Sequence, residues 1–369
     1  MGFRVCFRVD ASAAIGAGHV VRCLALAESL RRRNACCVFV CRQQEGNLQG
    51  LILNARFEVR FLPFADGPEL TSTKASLSGD SSGMNMIADA EQTIESLAGE
   101  IMDWIVVDHY ALGTPWESVV KERCANVLAI DDLANRPHDC RIVLDHNVGR
   151  SEGDYHNIVA AGTRLLIGPR FALLRQQYNS LRSYSFQRRK NRAGALGSLL
   201  VAFGGSDHSA LIGEVLNTLR GSALPKDLLI TVVIGFYAGS ESLIRAQAAA
   251  MPWPTRVIVG ANNMAQLMAD SDLAIGAAGT SALERCALGL PSLAVVLADN
   301  QRQGAYALQS RGAAIVVSDL SELGVVLNQL GSSPCGPQQL LEMSRASFRQ
   351  VDACGAGRVS EEMLARTCG

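Results

Sequence analysis

The chain has 369 residues, 34 Lys+Arg against 35 Asp+Glu for a formal charge of -1, and is 48% apolar and 19% charged. That balance excludes a disordered chain and leaves no excess of cations to neutralise a nucleic-acid backbone. The length suggests two domains, and no apolar run approaches the roughly 20 residues of a bilayer span.

The N-terminus, MGFRVCFRVD, alternates like a strand and carries Arg4 and Arg8, which argues against a signal peptide. Apolar runs of strand length follow at residues 3–9, 36–41, 59–62, 104–107, 127–130, 142–144 and 164–167. A second series lies at 199–203, 229–234, 255–259, 273–275, 292–296 and 314–317. Amphipathic stretches such as 20–33 and 282–288 separate them. Strand and helix alternating in this way predict an α/β chain with two doubly wound, parallel, Rossmann-like sheets. The polar, basic segment 183–197 reads as the boundary. This gives an N-terminal domain over 1–185, a second over 186–345 and a helical tail over 346–369 that packs back across the boundary. Ligands of such sheets bind beyond the carboxyl ends of the strands, so a cleft between the domains is expected. Residues 70–83, rich in Ser, Thr and Gly, read as a functional loop. Eleven cysteines, an odd count placed mostly in apolar runs, fit free thiols of a reducing cytoplasm.

The most informative segment is RVDASAAIGAGHVVRCLALAESL. A strand ends at Asp10, a loop with Gly16 and Gly18 follows, and a helix starts near His19. It is not a dinucleotide fingerprint, because Val21 stands where a third glycine is needed and no acidic residue ends the second strand. No Gly-Lys-Ser/Thr of a P-loop occurs. A histidine at a helix start is disfavoured as imidazolium by the positive end of the dipole, which suits a neutral general base. Asp10 is placed to orient it. Capping alone is the plainer reading of His19.

The counterpart is MADSDLAIGAAGTSALERCALGLPSLAVVLADNQ. There Gly276 and Gly279 end a strand, Thr280 or Ser281 caps a helix, and Glu284 lies one turn in. Free N–H groups at such a helix start suit a diphosphate, and the glutamate suits ribose hydroxyls. Gly204, Gly205, Ser206 and Asp207 form a second turn able to approach the same phosphates. Asp270-Ser271-Asp272 matches a metal-binding D-x-D, but it precedes its strand and reads as a solvated turn. His138, Asp139, Cys140, Asp145 and His146 resemble a metal cluster, but strand alternation is expected to scatter them. No metal and no cofactor are expected.

With both loops in hand, the chain resembles the nucleotide-sugar hydrolases of pseudaminic acid biosynthesis, the PseG type. The resemblance runs from Arg8 to about Gly312. It rests on RVDAS with IGAGHVVRCLALA, then CRQQEGN, DAEQT, VVDHY, IDDLANRPHDC, LDHN, GPRFALLR, FGGSD, NMAQLMADSDLAIGAAGTSALERCALGLP and NQ, in that order. Extra residues around 70–83 and after Gly312 depart from the pattern. The resemblance implies a GT-B-like fold and hydrolysis of UDP-2,4-diacetamido-2,4,6-trideoxy-β-L-altropyranose at C1, inverting and metal-independent. It puts the catalytic histidine on His19 and the loop tyrosine on Tyr110. It also puts the nucleotide contacts on Gly205, Gly276 to Thr280 and Glu284, and a sugar contact on Asn300. Together with Asp10 as support for His19, the substrate-binding set is Gly16, Gly18, Arg22, Asp108, His109, Asn147, Gly205, Ser206, Gly276, Ala278, Gly279, Thr280, Ser281, Glu284, Asn300 and Gln301. Asp131 and Asp132 also end strands, where a turn role competes with a ligand role.

Two rivals remain. A MurG-like glycosyltransferase would use the same parts with a sugar hydroxyl in place of water. A non-catalytic nucleotide-sugar-binding or assembly protein would not need His19. A cytoplasmic monomer acting on a UDP-sugar, without nucleic acid or stable membrane association, is the expectation.

Overall fold

A computed structural model describes residues 2–10, 17–43, 49–63, 86–124, 126–205, 207–235 and 239–367. The expected loop 70–83, Gly16 and Ser206 lie outside the described residues.

Every expected apolar run is a strand, and every pairing between them is parallel. The first sheet holds β1 (Arg4–Val9), β2 (Cys36–Arg42), β3 (Glu58–Leu62), β4 (Trp104–Asp108), β5 (Val127–Ile130), β6 (Ile142–Asp145) and β7 (Arg164–Ile167). Its order is β3-β2-β1-β4-β5-β6-β7. The second holds β8 (Ser198–Ala202), β9 (Leu229–Ile234), β10 (Thr255–Val259), β11 (Leu273–Ala277), β12 (Ser292–Val295) and β13 (Ile315–Val317), in the order β10-β9-β8-β11-β12-β13. Helices cover both faces, so the central strands read as unbroken apolar runs. In β1, Val5, Phe7 and Val9 pack with Phe39 and Leu26 on one face, while Cys6 joins Ile105 and Trp116 on the other.

Each sheet reverses its winding once. The chain turns outward from β1 to β2 and β3, then returns on the other side at β4; β8 and β11 stand in the same relation. The carboxyl ends of such a pair form a crevice where neither connection crosses, the usual ligand position of a doubly wound sheet.

The chain divides into two compact units, Met1–Arg175 with Cys354–Gly369, and Gln176–Ala353. Segment 183–197, expected to be a linker, lies largely within the helix α5 (Gln176–Asn191) of the second unit. Arg189 of this segment is buried, whereas Arg192 is exposed. Arg189 donates to the carbonyls of Met268 (2.7 Å), Ser271 (2.9 Å) and Leu288 (2.7 Å), and Arg182 to those of Ala287 and Phe348 (both 2.6 Å). These guanidinium groups satisfy carbonyls that helix ends leave open. The expected tail is two helices. The first, Gly336–Gln350, belongs to the second unit and the last, Gly355–Thr367, to the first. Trp104 Nε1 donates to the Met363 carbonyl at 3.1 Å and Ser360 Oγ to Ser29 Oγ at 2.9 Å, which ties the chain end to the first sheet and its first helix.

Among the described residues the cysteines are free thiols, and no helix is long and apolar enough to cross a membrane.

Candidate active site

The first helix, α1 (Gly18–Arg31), begins at the β1/β4 switch point with no side-chain cap. His19, its second residue, is buried except for 11% of its side chain. Its Nδ1 lies 2.6 Å from Oδ1 of Asp108, the last residue of β4. Arg22, one turn further, grips the same carboxylate with Nε on Oδ2 and Nη2 on Oδ1, both at 2.6 Å. The 3.1 Å between Arg22 Nη2 and His19 Nδ1 follows from two donors sharing one oxygen. Nδ1 therefore donates to the carboxylate, and in the neutral ring Nε2 is the nitrogen that bears the lone pair. Burial alone would raise the Asp108 carboxyl, but Arg22, and after it His19, hold it well below the usual carboxylate range.

Arg22 Nη1 also reaches Asp132 at 3.0 Å, and Tyr110 donates its hydroxyl to the same oxygen at 3.1 Å. The Tyr110 ring stands edge-on to His19, centroids 4.8 Å apart. Burial, and then the Asp132 charge, push the phenol well above its usual range, so it stays a donor. One arginine against two aspartates leaves a single net negative charge beside the His19 ring.

Asp10 does not orient His19; Asp108 does. The Asp10 oxygens are taken by Arg8 (2.6 and 2.9 Å), the backbone N–H of Arg42 (2.7 Å) and His109 Nε2 (3.4 Å). Arg8, two residues earlier on the same face of β1, claims the carboxylate, with Asp89 completing the pairing at 2.8 Å. His109 in turn accepts the Ala111 N–H on Nδ1 at 3.1 Å, fixing the turn that carries Tyr110. Asp10 and His109 thus hold backbone and present no spare acceptor.

His146, considered in the sequence only as a metal ligand, follows β6 and is 2% exposed, and its Nδ1 has no hydrogen-bond partner among the described residues. Burial pushes its imidazole down to about 4, and Arg22 adds to the effect. Asn147 braces the turn, its N–H on Asp145 Oδ1 (2.9 Å) and its side chain on the Asp132 carbonyl (3.4 Å). The expected scattering of the cluster fails for one pair: His138 and Cys140 meet Glu117 with ligand atoms within 4.8 Å. The His138 Nδ1 to Glu117 distance of 2.7 Å is that of a hydrogen bond. Burial works against protonation of His138, but Asp131 and Glu117 outweigh it and raise its value.

In the second unit, Gly276 is not in the loop. It lies inside β11, where a Cβ would sit 2.2 Å from the Ala202 carbonyl oxygen and 3.1 Å from Arg285 Nη1. The loop is Ala278-Gly279, with Gly279 as N-cap of α9 (Thr280–Ala287), so neither Thr280 nor Ser281 caps it. Gln301 lies against Gly279, its Nε2 3.3 Å from where a Cβ would stand, and its Oε1 accepts the Leu297 N–H at 3.1 Å. Asn300 lies beside it in the first turn of α10 (Asp299–Ser310), and Glu284 is half-buried on α9. Gly205 lies three residues past the end of the neighbouring strand β8, after Gly204, whose φ of +102° suits glycine. Asp272 corrects the solvated-turn expectation: it is 5% exposed, accepts the N–H groups of Gly197 and Ser198 (2.9 Å each) and pairs with Arg188 at 2.7 Å.

Sequence reasoning missed Arg285. It is 2% exposed, and its guanidinium reaches back along α9 to the Ala277 carbonyl (2.7 Å), Ser281 Oγ (3.2 Å) and Ser292 Oγ (2.9 Å). The apolar stripe around it hid a cation, and only its spacing of four from Ser281 hinted at the contact.

Residues 199–356 match the glycosyltransferase family 28 C-terminal domain. The chain is 25% identical over 311 residues to the UDP-2,4-diacetamido-2,4,6-trideoxy-beta-L-altropyranose hydrolase of Campylobacter jejuni, covering 84% of this chain and 97% of that one. It is also 25% identical over 312 residues to an uncharacterized protein of Methanocaldococcus jannaschii, covering 81% of this chain and 56% of the other. Among solved structures, MurG of Acinetobacter baumannii superposes with a TM-score of 0.69 at 17% identity, covering 98% and 99% of the two chains. Phytolacca americana UGT2, solved with UDP-2-fluoro-glucose and pterostilbene, gives 0.67 at 13% identity over 100% of both. The two parallel-sheet units are therefore those of the GT-B glycosyltransferase fold.

Proposed function

We propose that the chain hydrolyses a UDP-sugar at the anomeric C1–O bond, with UDP-2,4-diacetamido-2,4,6-trideoxy-β-L-altropyranose as the substrate. The observation that carries this reading is His19, whose Nδ1 is committed to Asp108, which leaves Nε2 as the ring nitrogen to act as base. The likeness to the Campylobacter hydrolase supports the choice of substrate, and the family 28 match over the second unit supports the broader UDP-sugar reading.

His19 Nε2 takes a proton from water as the water oxygen bonds to C1. The C1–O bond breaks, and its electron pair leaves on the β-phosphate of UDP. Asp108 holds the ring and faces the imidazolium as it forms, the arrangement of an oriented base. The N–H groups at the start of α9 receive the departing diphosphate, where fixed dipoles act without reorganising. Attack from the face opposite UDP inverts the anomeric centre. Tyr110 and Asn300 are assigned to the sugar.

Incubation with the UDP-diacetamido-trideoxyhexose alone, followed by NMR, is expected to show free sugar and UDP in equal amounts, the first-formed anomer inverted. The MurG likeness favours a second reading, transfer of the sugar to an acceptor hydroxyl. Turnover only after an acceptor is added would establish transfer and overturn hydrolysis.

A further inference from the structure

Among the described residues Arg285 is a buried cation with no ion pair: its hydrogen bonds go to a carbonyl and two serine hydroxyls. Its position makes that costly. The side chain doubles back toward the start of its own helix, so the guanidinium adds to the positive end of the α9 dipole instead of opposing it. An uncompensated charge in the interior is unfavourable unless something pairs with it. Arg189, the other deeply buried arginine of this unit, sits against carbonyls that close helix ends, where a cation is favoured. Arg22 shows the contrasting solution at the first switch point, where two aspartates neutralise it.

We infer that Arg285 is the residue that makes the second unit select for the diphosphate: the bound anion supplies the countercharge that the protein withholds. Gly276 belongs to the same device. Its missing Cβ leaves room first for the Ala202 carbonyl oxygen, which a Cβ would meet at 2.2 Å, and then for Nη1 at 3.1 Å. The group acts through space from beneath the loop, so it reads ligand charge and not ligand shape. The inference rests on the α9 start being the UDP site.

Calorimetric titration with uridine, UMP and UDP tests it on the full-length protein. In wild type, affinity is expected to rise along that series. Arg285→Met is expected to weaken UDP about 10-fold, the loss of one partly screened unit charge, to weaken UMP less, and to leave uridine within about 2-fold. Arg285→Lys keeps most of the preference. Ser292→Asp, which sets a carboxylate on the far side of the guanidinium from the helix start, is expected to reproduce the loss and decides the matter if the methionine variant does not fold. Equal weakening of all three ligands makes Arg285 a structural brace and overturns the inference, as does an unchanged UDP-to-uridine ratio. A wild type that binds uridine and UDP equally sinks the diphosphate site itself.

Discussion

The two switch points use the same backbone geometry for opposite electrostatic ends. At the first, a helix start meets Asp108, Arg22 and His19, all buried, and the half-buried Asp132, mutually paired. At the second, no side chain caps the helix start, and among the described residues Arg285 bonds to neutral acceptors and pairs with no carboxylate. A cluster whose charges are all paired can pass a proton without changing its own structure. An unbalanced one attracts a charged ligand. Fold position therefore says where a ligand goes, while the local count of charges says what is done there.

The most direct way to break this contrast is to remove the proton acceptor. His19→Ala is expected to lower UDP release roughly 10²–10⁴-fold, the range of a positioned base, with UDP affinity and circular dichroism unchanged. Release at the wild-type rate would leave a nucleotide-sugar-binding protein with no proton chemistry at its first switch point.

A second test uses pH. His146, with a folded value of about 4 against the usual 6.5, binds a proton less well folded than unfolded. Its stabilising contribution is full above about pH 6.5 and lost as pH falls toward 4, about 3 kcal/mol in all. Asp145 behaves inversely. Burial raises its carboxyl from 3.8 to about 6 against the pull of the Asn147 N–H and Tyr155, so its contribution is full below about 3.8 and lost as pH rises to about 6. The two slopes oppose each other between pH 4 and 6. Urea unfolding of His146→Gln should show stability rising as pH falls through that window, and Asp145→Asn the reverse. Parallel curves for wild type and both variants would mean that neither group is held as the structure has it.

Much of this was legible beforehand. All thirteen strands were, because strands buried on both faces must be apolar throughout and their ends are marked by polar turns. His19, Arg22, Asp108 and Tyr110 were named, since they stand at strand ends or a helix start, where a parallel sheet gathers its ligands. Pairing was not legible. Asp10 and Asp108 both end strands beside the same helix start, and which one reaches His19 depends on Arg8 having already claimed Asp10. The same limit hid α5, whose basic residues looked solvated although carbonyls of other helices surround Arg189. Periodicity reports which face is buried. It does not report what a buried polar group finds there.

The smallest expected effect separates the parts of the second switch point. Glu284, one turn into α9, is assigned to ribose hydroxyls, which every uridine ligand carries. Glu284→Ala should therefore weaken uridine, UMP and UDP alike, by about 10-fold, the usual size of a hydrogen bond to a charged group. The Arg285 substitution should instead spread the three affinities unequally. Measured on the same ligands, the pair distinguishes shape recognition from charge recognition within one turn of helix. If Glu284→Ala spares uridine and weakens only the phosphorylated ligands, its carboxylate is acting through the helix start and not on the sugar. The division of labour inside this unit would then have to be redrawn, although the contrast with the first unit would stand.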